Sequence, residues 1–214
     1  MTLADRVAAF KAVFSKWAAS WPWLVREQGR DVLYAVWVLG NDYRTRSTFY
    51  GAYPHGYLPR VMALFPDVPP LDDRAGRLTT LHVFSGSLPA GPYVRCDSHQ
   101  PAECSCSVYD LTPDRDGTYD LVLADPPYSS ADAEKYGTPM VARRRALAAL
   151  ARVTRVGGHL VWLDTAWPMH RKTEWVTVGR ILIQRSTNHR VRLCSIFERV
   201  DATAPGRRRA EASA

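Results

Sequence analysis

The segment that most constrains the fold is a short apolar run that ends just before two prolines. The run Tyr119–Ala124 is rich in Val and Leu, and Asp125-Pro126-Pro127-Tyr128 follows it at once. Such a run is typical of a fully buried parallel strand, which would place the next four residues in a loop at the carboxyl edge of a sheet. Open α/β sheets bind their ligands at that edge. The sequence therefore predicts a functional loop there.

The composition of this loop suits a planar heterocycle that carries an amino group. Each proline fixes a φ angle and removes a backbone donor, so nearby carbonyls are free to accept hydrogen bonds. Asp125 adds a carboxylate acceptor, and Tyr128 adds an aromatic face for stacking. Two acceptors match the two N–H bonds of an exocyclic amine. A strand followed by a proline-stiffened turn is the plain structural alternative.

Asp125-Pro126-Pro127-Tyr128 resembles the signature of methyltransferases that use S-adenosylmethionine to modify amino groups of adenine or cytosine. The form with Asp is most similar to the adenine branch. The resemblance implies that Asp125 and the Pro126 carbonyl accept the amine hydrogens while Tyr128 stacks on the base. It also implies the class I methyltransferase fold, an α/β doubly wound, mostly parallel, Rossmann-like sheet with a C-terminal antiparallel hairpin.

A second expected strand, residues 78–84, ends at a small turn. The turn Ser85-Gly86-Ser87 contains a glycine, which lets a ligand approach the backbone closely. Phe84-Ser85-Gly86-Ser87 is similar to the first cofactor motif of the same methyltransferases, although the position after Ser87 lacks a further Gly that is usual there. The resemblance implies that these residues contact S-adenosylmethionine.

Two acids follow the glycine turn. The prolines between Gly86 and the expected short strand Tyr93–Cys96 forbid a crossover helix. Asp97 ends that strand, and Asp110 ends another expected strand at Val108-Tyr109. The order of the resemblance implies that Asp97 accepts the cofactor ribose hydroxyls and that Asp110 contacts its adenine amine. A solvated loop acid is the alternative for Asp97.

Residues 41–59 are dense in Tyr, Gly, Arg and Pro, and they lead into a short helix at Pro59–Leu64. This arrangement resembles the part of amino-methyltransferases that closes over the methionine end of the cofactor. The resemblance implies cofactor contacts by Tyr53 and Pro54. An ordered surface loop with stacked aromatics fits the same residues.

The N-terminal part predicts two helices. Apolar residues at helical spacing indicate a first helix from Leu3 to about Trp17 and a second from residue 22 or 24 to Trp37. We expect three regions: an N-terminal helical and aromatic-rich extension, a catalytic core, and a basic disordered tail with Arg207-Arg208-Arg209. Their bounds are 1–76, 77–201 and 202–214.

The segment after the Asp-Pro-Pro-Tyr loop (residues 125–128) carries candidate nucleic-acid contacts. Residues 129–139 predict a mobile loop that could close over a flipped base. A helix from about residue 140 to 154 follows, capped by Gly157-Gly158, and then a strand at 159–164. Residues 176–184 and 191–200 predict a hairpin with a turn at Thr187-Asn188. The helix exposes Arg143, Arg144 and Arg145, which are either phosphate contacts or a solvated face. Trp167 could stack on a base or pack within its loop.

Composition favours a polyanionic partner. The 214 residues include 28 Lys and Arg, mostly Arg, and the net charge is +7, which suits nucleic acid, although an arginine-biased genome would give the same excess. No apolar stretch approaches a membrane span and no secretion signal is visible, so we expect a cytoplasmic protein with no membrane partner. No insertion large enough for target recognition is evident. We therefore expect that task to fall to the N-terminal helices, to the aromatic segment, or to a partner subunit or a dimer.

Three cysteines and a histidine lie close together in sequence: Cys96, His99, Cys104 and Cys106. They could form a Cys₃His zinc site, but their spacing is irregular, and free cytosolic thiols without metal are the expectation. The expected activity is S-adenosylmethionine-dependent methylation of the adenine amine in DNA. An RNA adenine or guanine enzyme, a free-nucleotide or protein-amide enzyme, and a non-catalytic nucleic-acid-binding scaffold remain alternatives.

Overall fold

The computed structural model describes residues 1–40, 53–73, 76–186 and 190–201. Three sequence expectations lie outside the described residues: the first part of the aromatic segment at 41–52, the hairpin turn at Thr187-Asn188, and the basic tail at 202–214.

The described residues form five α-helices, two short 3₁₀ helices and ten strands. The helices are α1 (Leu3–Val13), α2 (Tyr57–Leu64), α3 (Pro113–Asp116), α4 (Ser130–Lys135) and α5 (Arg143–Val153), with short 3₁₀ helices at Ala18–Ser20 and Val108–Asp110. The strands are β1 (Trp23–Glu27), β2 (Arg30–Leu39), β3 (Leu71–Asp72), β4 (Arg77–Leu78), β5 (Thr80–Val83), β6 (Val94–Cys96), β7 (Tyr119–Ala124), β8 (Thr154–Asp164), β9 (Trp175–Arg185) and β10 (Val191–Arg199).

Eight of the strands form one sheet in the order β1-β2-β9-β10-β8-β7-β5-β6. Strands β6, β5, β7 and β8 are parallel, and β10 lies antiparallel between β8 and β9. The fold is a doubly wound, Rossmann-like α/β sheet with a C-terminal antiparallel hairpin, which confirms the predicted fold class. Strands β3 and β4 form a separate small ribbon.

Strand β7 is buried on both faces. Leu121 and Leu123 belong to the core under α1 and α2, whereas Val122 and Ala124 belong to the core under α5. This two-sided burial explains the continuous apolar run in the sequence, because no side of the strand faces water. It confirms the strand from which the sequence interpretation began.

The predicted second helix, from residue 22 or 24 to Trp37, is wrong. Strands β1 and β2 form an antiparallel hairpin there, and β2 pairs in parallel with β9. Gln28 and Gly29 have φ angles of 47° and 78°, as a tight two-residue hairpin turn requires. The N-terminal extension is therefore only partly helical, and it widens the sheet. The boundary at residue 76 stays a prediction.

The first helix is confirmed, although it ends at Val13. Thr2 caps it by accepting a hydrogen bond from the Asp5 amide, and the Asp5 carboxylate accepts one from the Thr2 amide. Phe10 is fully buried and stacks on Trp37 of β2 with ring centroids 5.7 Å apart. α1 thus covers the part of the sheet that β1 and β2 add.

Gly157 and Gly158 do not cap α5 as predicted, because α5 passes directly into β8. The glycines lie inside β8, where its pairing with β7 is irregular. Gly157 has a φ of 80°, and a Cβ on Gly158 would lie 2.9 Å from the Asp120 carbonyl oxygen. The glycines therefore permit a bulge where two backbones approach closely.

The segment between β5 and β6 contains no helix, as its prolines predict. The strand expected at Val108-Tyr109 is wrong, because these residues begin a 3₁₀ helix. Ser107 caps that helix by accepting a hydrogen bond from the Tyr109 amide, and the Asp110 amide donates to the Ser107 carbonyl at 2.9 Å, which closes the turn. The described helices include none that is both long and apolar enough to cross a membrane.

Candidate active site

A cavity of about 570 Å³ opens at the carboxyl ends of β5, β6 and β7. Its size falls within the range of small-molecule sites. It unites two parts of the sequence that were predicted to act together, the glycine turn and the Asp-Pro-Pro-Tyr loop. The predicted residues on its wall are Pro54, Phe84, Gly86, Ser87, Cys96, Asp97, His99, Cys106, Asp125, Pro126, Pro127 and Tyr128.

The glycine turn carries an unusual backbone. Phe84 has a φ of 56°, a conformation that costs a residue with a side chain about 1–3 kcal/mol. Gly86 follows with a φ of 52°, and its amide donates to Asp97 Oδ2 at 2.9 Å. The Ser85 hydroxyl is buried and has no hydrogen-bond partner among the described residues. The turn is thus held open toward the cavity by its neighbour strand.

Three backbone amides donate hydrogen bonds to the Asp97 carboxylate and fix its position. Its Oδ1 accepts hydrogen bonds from the His99 and Gln100 amides, both at 2.9 Å, in addition to the Gly86 amide on Oδ2. A carboxylate has about four acceptor sites, so one remains for a ligand hydroxyl. Asp97 therefore fastens the end of β6 to the turn after β5 and still faces the cavity. Its predicted contact with ribose stays a prediction.

Asp125 is the most perturbed acid in the cavity. Burial raises its pKa to about 7, while a hydrogen bond from Tyr128 and the positive charge of Arg192 act in the opposite direction. The Tyr128 hydroxyl donates to Asp125 Oδ1. Ionisation of Asp125 therefore occurs near neutral pH, which is a property that active-site acids often have.

One face of the Tyr128 ring is covered by another side chain, which the sequence does not suggest. The guanidinium carbon of Arg192 lies 4.1 Å from the centre of its ring. This cation–π contact covers one face, so a stacked base would use the other face or displace Arg192. Stacking by Tyr128 stays a prediction.

Arg143 has an internal role in the described structure. It binds the fully buried Asp164 through Nε at 2.6 Å and Nη2 at 2.9 Å, and Nη2 also donates to the Tyr128 carbonyl at 3.3 Å. Arg145 lies over the Tyr109 ring at 4.3 Å, and Arg144 is exposed. Of the three predicted phosphate contacts, Arg144 and Arg145 are thus exposed, whereas Arg143 is only partly so.

Three other predicted residues lie off the cavity wall. Asp110 is exposed on its 3₁₀ helix, and Tyr109 lines the cavity in its place. Trp167 is 46% exposed beyond the end of β8. Tyr53 packs behind Pro54, where its hydroxyl lies 3.2 Å from His82 Nδ1. Burial lowers the pKa of His82 to about 4, so this histidine is neutral.

Sequence reasoning missed the cationic wall of the cavity. Its members are Lys135, Arg185, Arg190 and Arg192. The last three flank the hairpin turn between β9 and β10. Because β10 is antiparallel to β8, its first residues lie beside the carboxyl end of β8. The predicted hairpin topology would have placed these arginines at the same edge as the Asp-Pro-Pro-Tyr loop.

Comparison with solved structures gives a weak likeness, whereas the two other comparisons find nothing. No family model matches the chain, and no curated protein matches it. Among solved structures, the chain is similar to TrmN from Thermus thermophilus at 12% identity with a TM-score of 0.38. The aligned region covers 56% of this chain and 43% of TrmN, so it spans less than half of that protein. A likeness of this extent carries no argument about activity.

Proposed function

We propose that this protein is an S-adenosylmethionine-dependent methyltransferase that acts on the exocyclic amine of adenine in DNA. The observation that carries the proposal is the cavity itself. It brings the Asp-Pro-Pro-Tyr loop after β7 together with the glycine turn after β5 and Asp97 after β6. Ligand sites of open α/β sheets lie at this edge, so both halves of the predicted chemistry have a common location.

Phe84, Gly86 and Asp97 form the half that would hold the cofactor. The left-handed backbone at Phe84 and Gly86 and the free acceptor site on Asp97 suit the close approach of a nucleoside. The cavity volume of about 570 Å³ is adequate for a ligand of this class. When bound, S-adenosylmethionine would supply a methyl group activated by a positively charged sulfur.

Asp125 and Pro126 form the half that would hold the base. Ionised Asp125 and the Pro126 carbonyl each accept one amine hydrogen, which turns the nitrogen lone pair out of conjugation with the ring. The two prolines fix these acceptors in advance, so most of the rate acceleration would come from positioning. Strong base catalysis is unnecessary, because the nitrogen becomes acidic only as it gains the methyl group and would then release its proton to the Asp125 carboxylate, which passes it to solvent.

The cationic wall supports a nucleic-acid substrate. Arg185, Arg190 and Arg192 line the same cavity as Asp125, and the whole chain carries a net charge of +7. Arginine matches phosphate geometry well, and a flipped nucleotide would bring its phosphates to the cavity mouth. DNA is favoured because the Asp form of the loop resembles the adenine-specific DNA enzymes.

The test is transfer of a labelled methyl group to duplex DNA, single-stranded DNA and RNA, followed by nucleoside analysis. We expect N6-methyladenine in DNA. Asp125→Ala should reduce the transfer rate at least 100-fold with cofactor affinity retained. The matched control is Asp31→Ala, an exposed carboxylate on β2 at the other end of the sheet. Full activity of Asp125→Ala would contradict the mechanism, and methylation of RNA alone would replace DNA as the substrate.

The placement of Asp110 favours one alternative, a non-catalytic nucleic-acid-binding protein with the same fold. In such a protein the cofactor half of the cavity would have lost its function. Calorimetric titration with S-adenosylmethionine distinguishes the two. Micromolar binding supports the enzyme, whereas absent binding combined with retained DNA affinity supports the scaffold.

A further inference from the structure

Three of the four cysteines converge at the end of β6. The distances between sulfur atoms are 3.1 Å for Cys96 and Cys104, 3.2 Å for Cys104 and Cys106, and 3.9 Å for Cys96 and Cys106. All three thiols are free, and we call them the three-thiol cluster. Among the described residues, these three form a group of potential metal ligands whose sulfur atoms all lie within 4.8 Å of one another.

The backbone builds this cluster directly. The Cys104 amide donates to the Arg95 carbonyl at 3.0 Å, and the Asp97 amide donates to the Cys104 carbonyl at 3.1 Å. These bonds dock the loop against β6 like a short additional strand. Glu103 adds a paired contact to the Arg95 side chain, with the closest oxygen at 2.7 Å. Backbone hydrogen bonds between the loop and β6 therefore bring Cys96 and Cys104 face to face.

The spacing suits a metal ion bound by sulfur. Tetrahedral zinc with Zn–S bonds of about 2.3 Å places its sulfur ligands about 3.8 Å apart. The cluster has one edge at 3.9 Å and two shorter edges, so small rotations of Cys104 would complete the triangle. Cys96 is buried, whereas Cys104 and Cys106 are partly open toward a second cavity through which an ion could enter.

Two charged groups lie beside the cluster. Arg115 Nη2 is 3.4 Å from Cys106 Sγ, and Asp116 Oδ1 is 3.7 Å from Cys104 Sγ. Three thiolates around Zn²⁺ leave one negative charge, which Arg115 would offset. Asp116, which also forms an ion pair with Arg115, has a carboxylate oxygen that could take the fourth position. His99 lies outside the cluster, with its Nδ1 2.7 Å from the Ser98 hydroxyl.

We propose that Cys96, Cys104 and Cys106 bind one structural Zn²⁺ ion. The ion would fix the loop that follows β6, because Cys96 ends that strand and Cys104 and Cys106 lie in the loop. Because Asp97 follows Cys96 and holds the Gly86 amide, the ion would also keep the glycine turn in place. The site is independent of the methyl-transfer chemistry, so its test needs no substrate.

The first experiment measures metal in the full chain, purified with a tag that lacks histidine. Inductively coupled plasma mass spectrometry should find about one zinc ion per chain. Cys104→Ser and Cys106→Ser should each lower the zinc content at least tenfold. Cys194→Ser is the matched control, because Cys194 is a buried cysteine that lies beside Tyr57 in the other core, and it should retain zinc.

A second measurement covers variants that fail to fold. Wild-type protein is stripped with a chelator and then titrated with Co²⁺. The proposal expects saturation at one equivalent, with the intense thiolate-to-cobalt absorption of a tetrahedral site. It also expects Zn²⁺ to displace the cobalt and to raise the melting temperature. Folded protein without such absorption, or purified protein with a disulfide within the cluster, would overturn the proposal.

Discussion

Asp125 is the residue on which the proposed chemistry depends most directly. Since burial raises its pKa to about 7, the carboxylate needed to accept an amine hydrogen is only partly formed at neutral pH. We predict that kcat/KM for methyl transfer rises with pH through an inflection near 7. Arg192→Gln removes a positive charge that lowers this pKa, so its inflection should move upward. A pH profile that is flat above pH 5 in the wild type would contradict this role.

The same pKa has a consequence for stability. The pKa of Asp125 is higher in the folded chain than in the unfolded chain, so the folded state binds more protons between about pH 4 and 7 and loses stability as pH rises through this window. Asp125→Asn should therefore stabilise the fold by about 1–3 kcal/mol at pH 8 and by little at pH 4. Urea unfolding at both pH values tests this. An equal effect at both would show that ionisation is not the cause.

Arg143 of helix α5 forms an ion pair with Asp164 of β8 and also donates to the carbonyl of Tyr128 in the Asp-Pro-Pro-Tyr loop. Asp164 at the end of β8 is fully buried and also accepts hydrogen bonds from Trp162 Nε1 and the Thr165 amide. Arg143→Ala would leave this carboxylate without its cation and should lower the unfolding free energy by about 2–4 kcal/mol. Arg144→Ala, at the exposed neighbouring position, should change it by less than about 0.5 kcal/mol. Denaturant titration compares the two, and equal effects would refute the assigned role.

The elements differ in how well the sequence predicts them. Strand β7 was predictable because burial on both faces and two prolines leave it few other conformations. Strand β2 was missed because Val32, Val36 and Val38 make its outer face apolar too, so its residues satisfy helical and strand periods alike. The Gln28-Gly29 turn was the local signal for the hairpin. The Asp-Pro-Pro-Tyr loop is local in sequence, whereas the Arg192–Tyr128 contact depends on the register of β10, which sequence alone does not specify.

At the scale of the whole molecule, the arginines of the cationic wall lie at the end of the β9–β10 hairpin, away from the β1 edge. If this wall binds phosphates, DNA affinity should fall steeply between about 50 and 200 mM salt, and Arg190→Gln should reduce the slope of log K against log salt by about 1. Arg26→Gln is the matched control, because Arg26 is an exposed arginine on β1. Fluorescence anisotropy with a labelled duplex measures both slopes. Each phosphate contact that the variant lacks reduces by about one the number of counterions released when the protein binds DNA. An unchanged slope for Arg190→Gln would therefore place the phosphate-binding surface elsewhere.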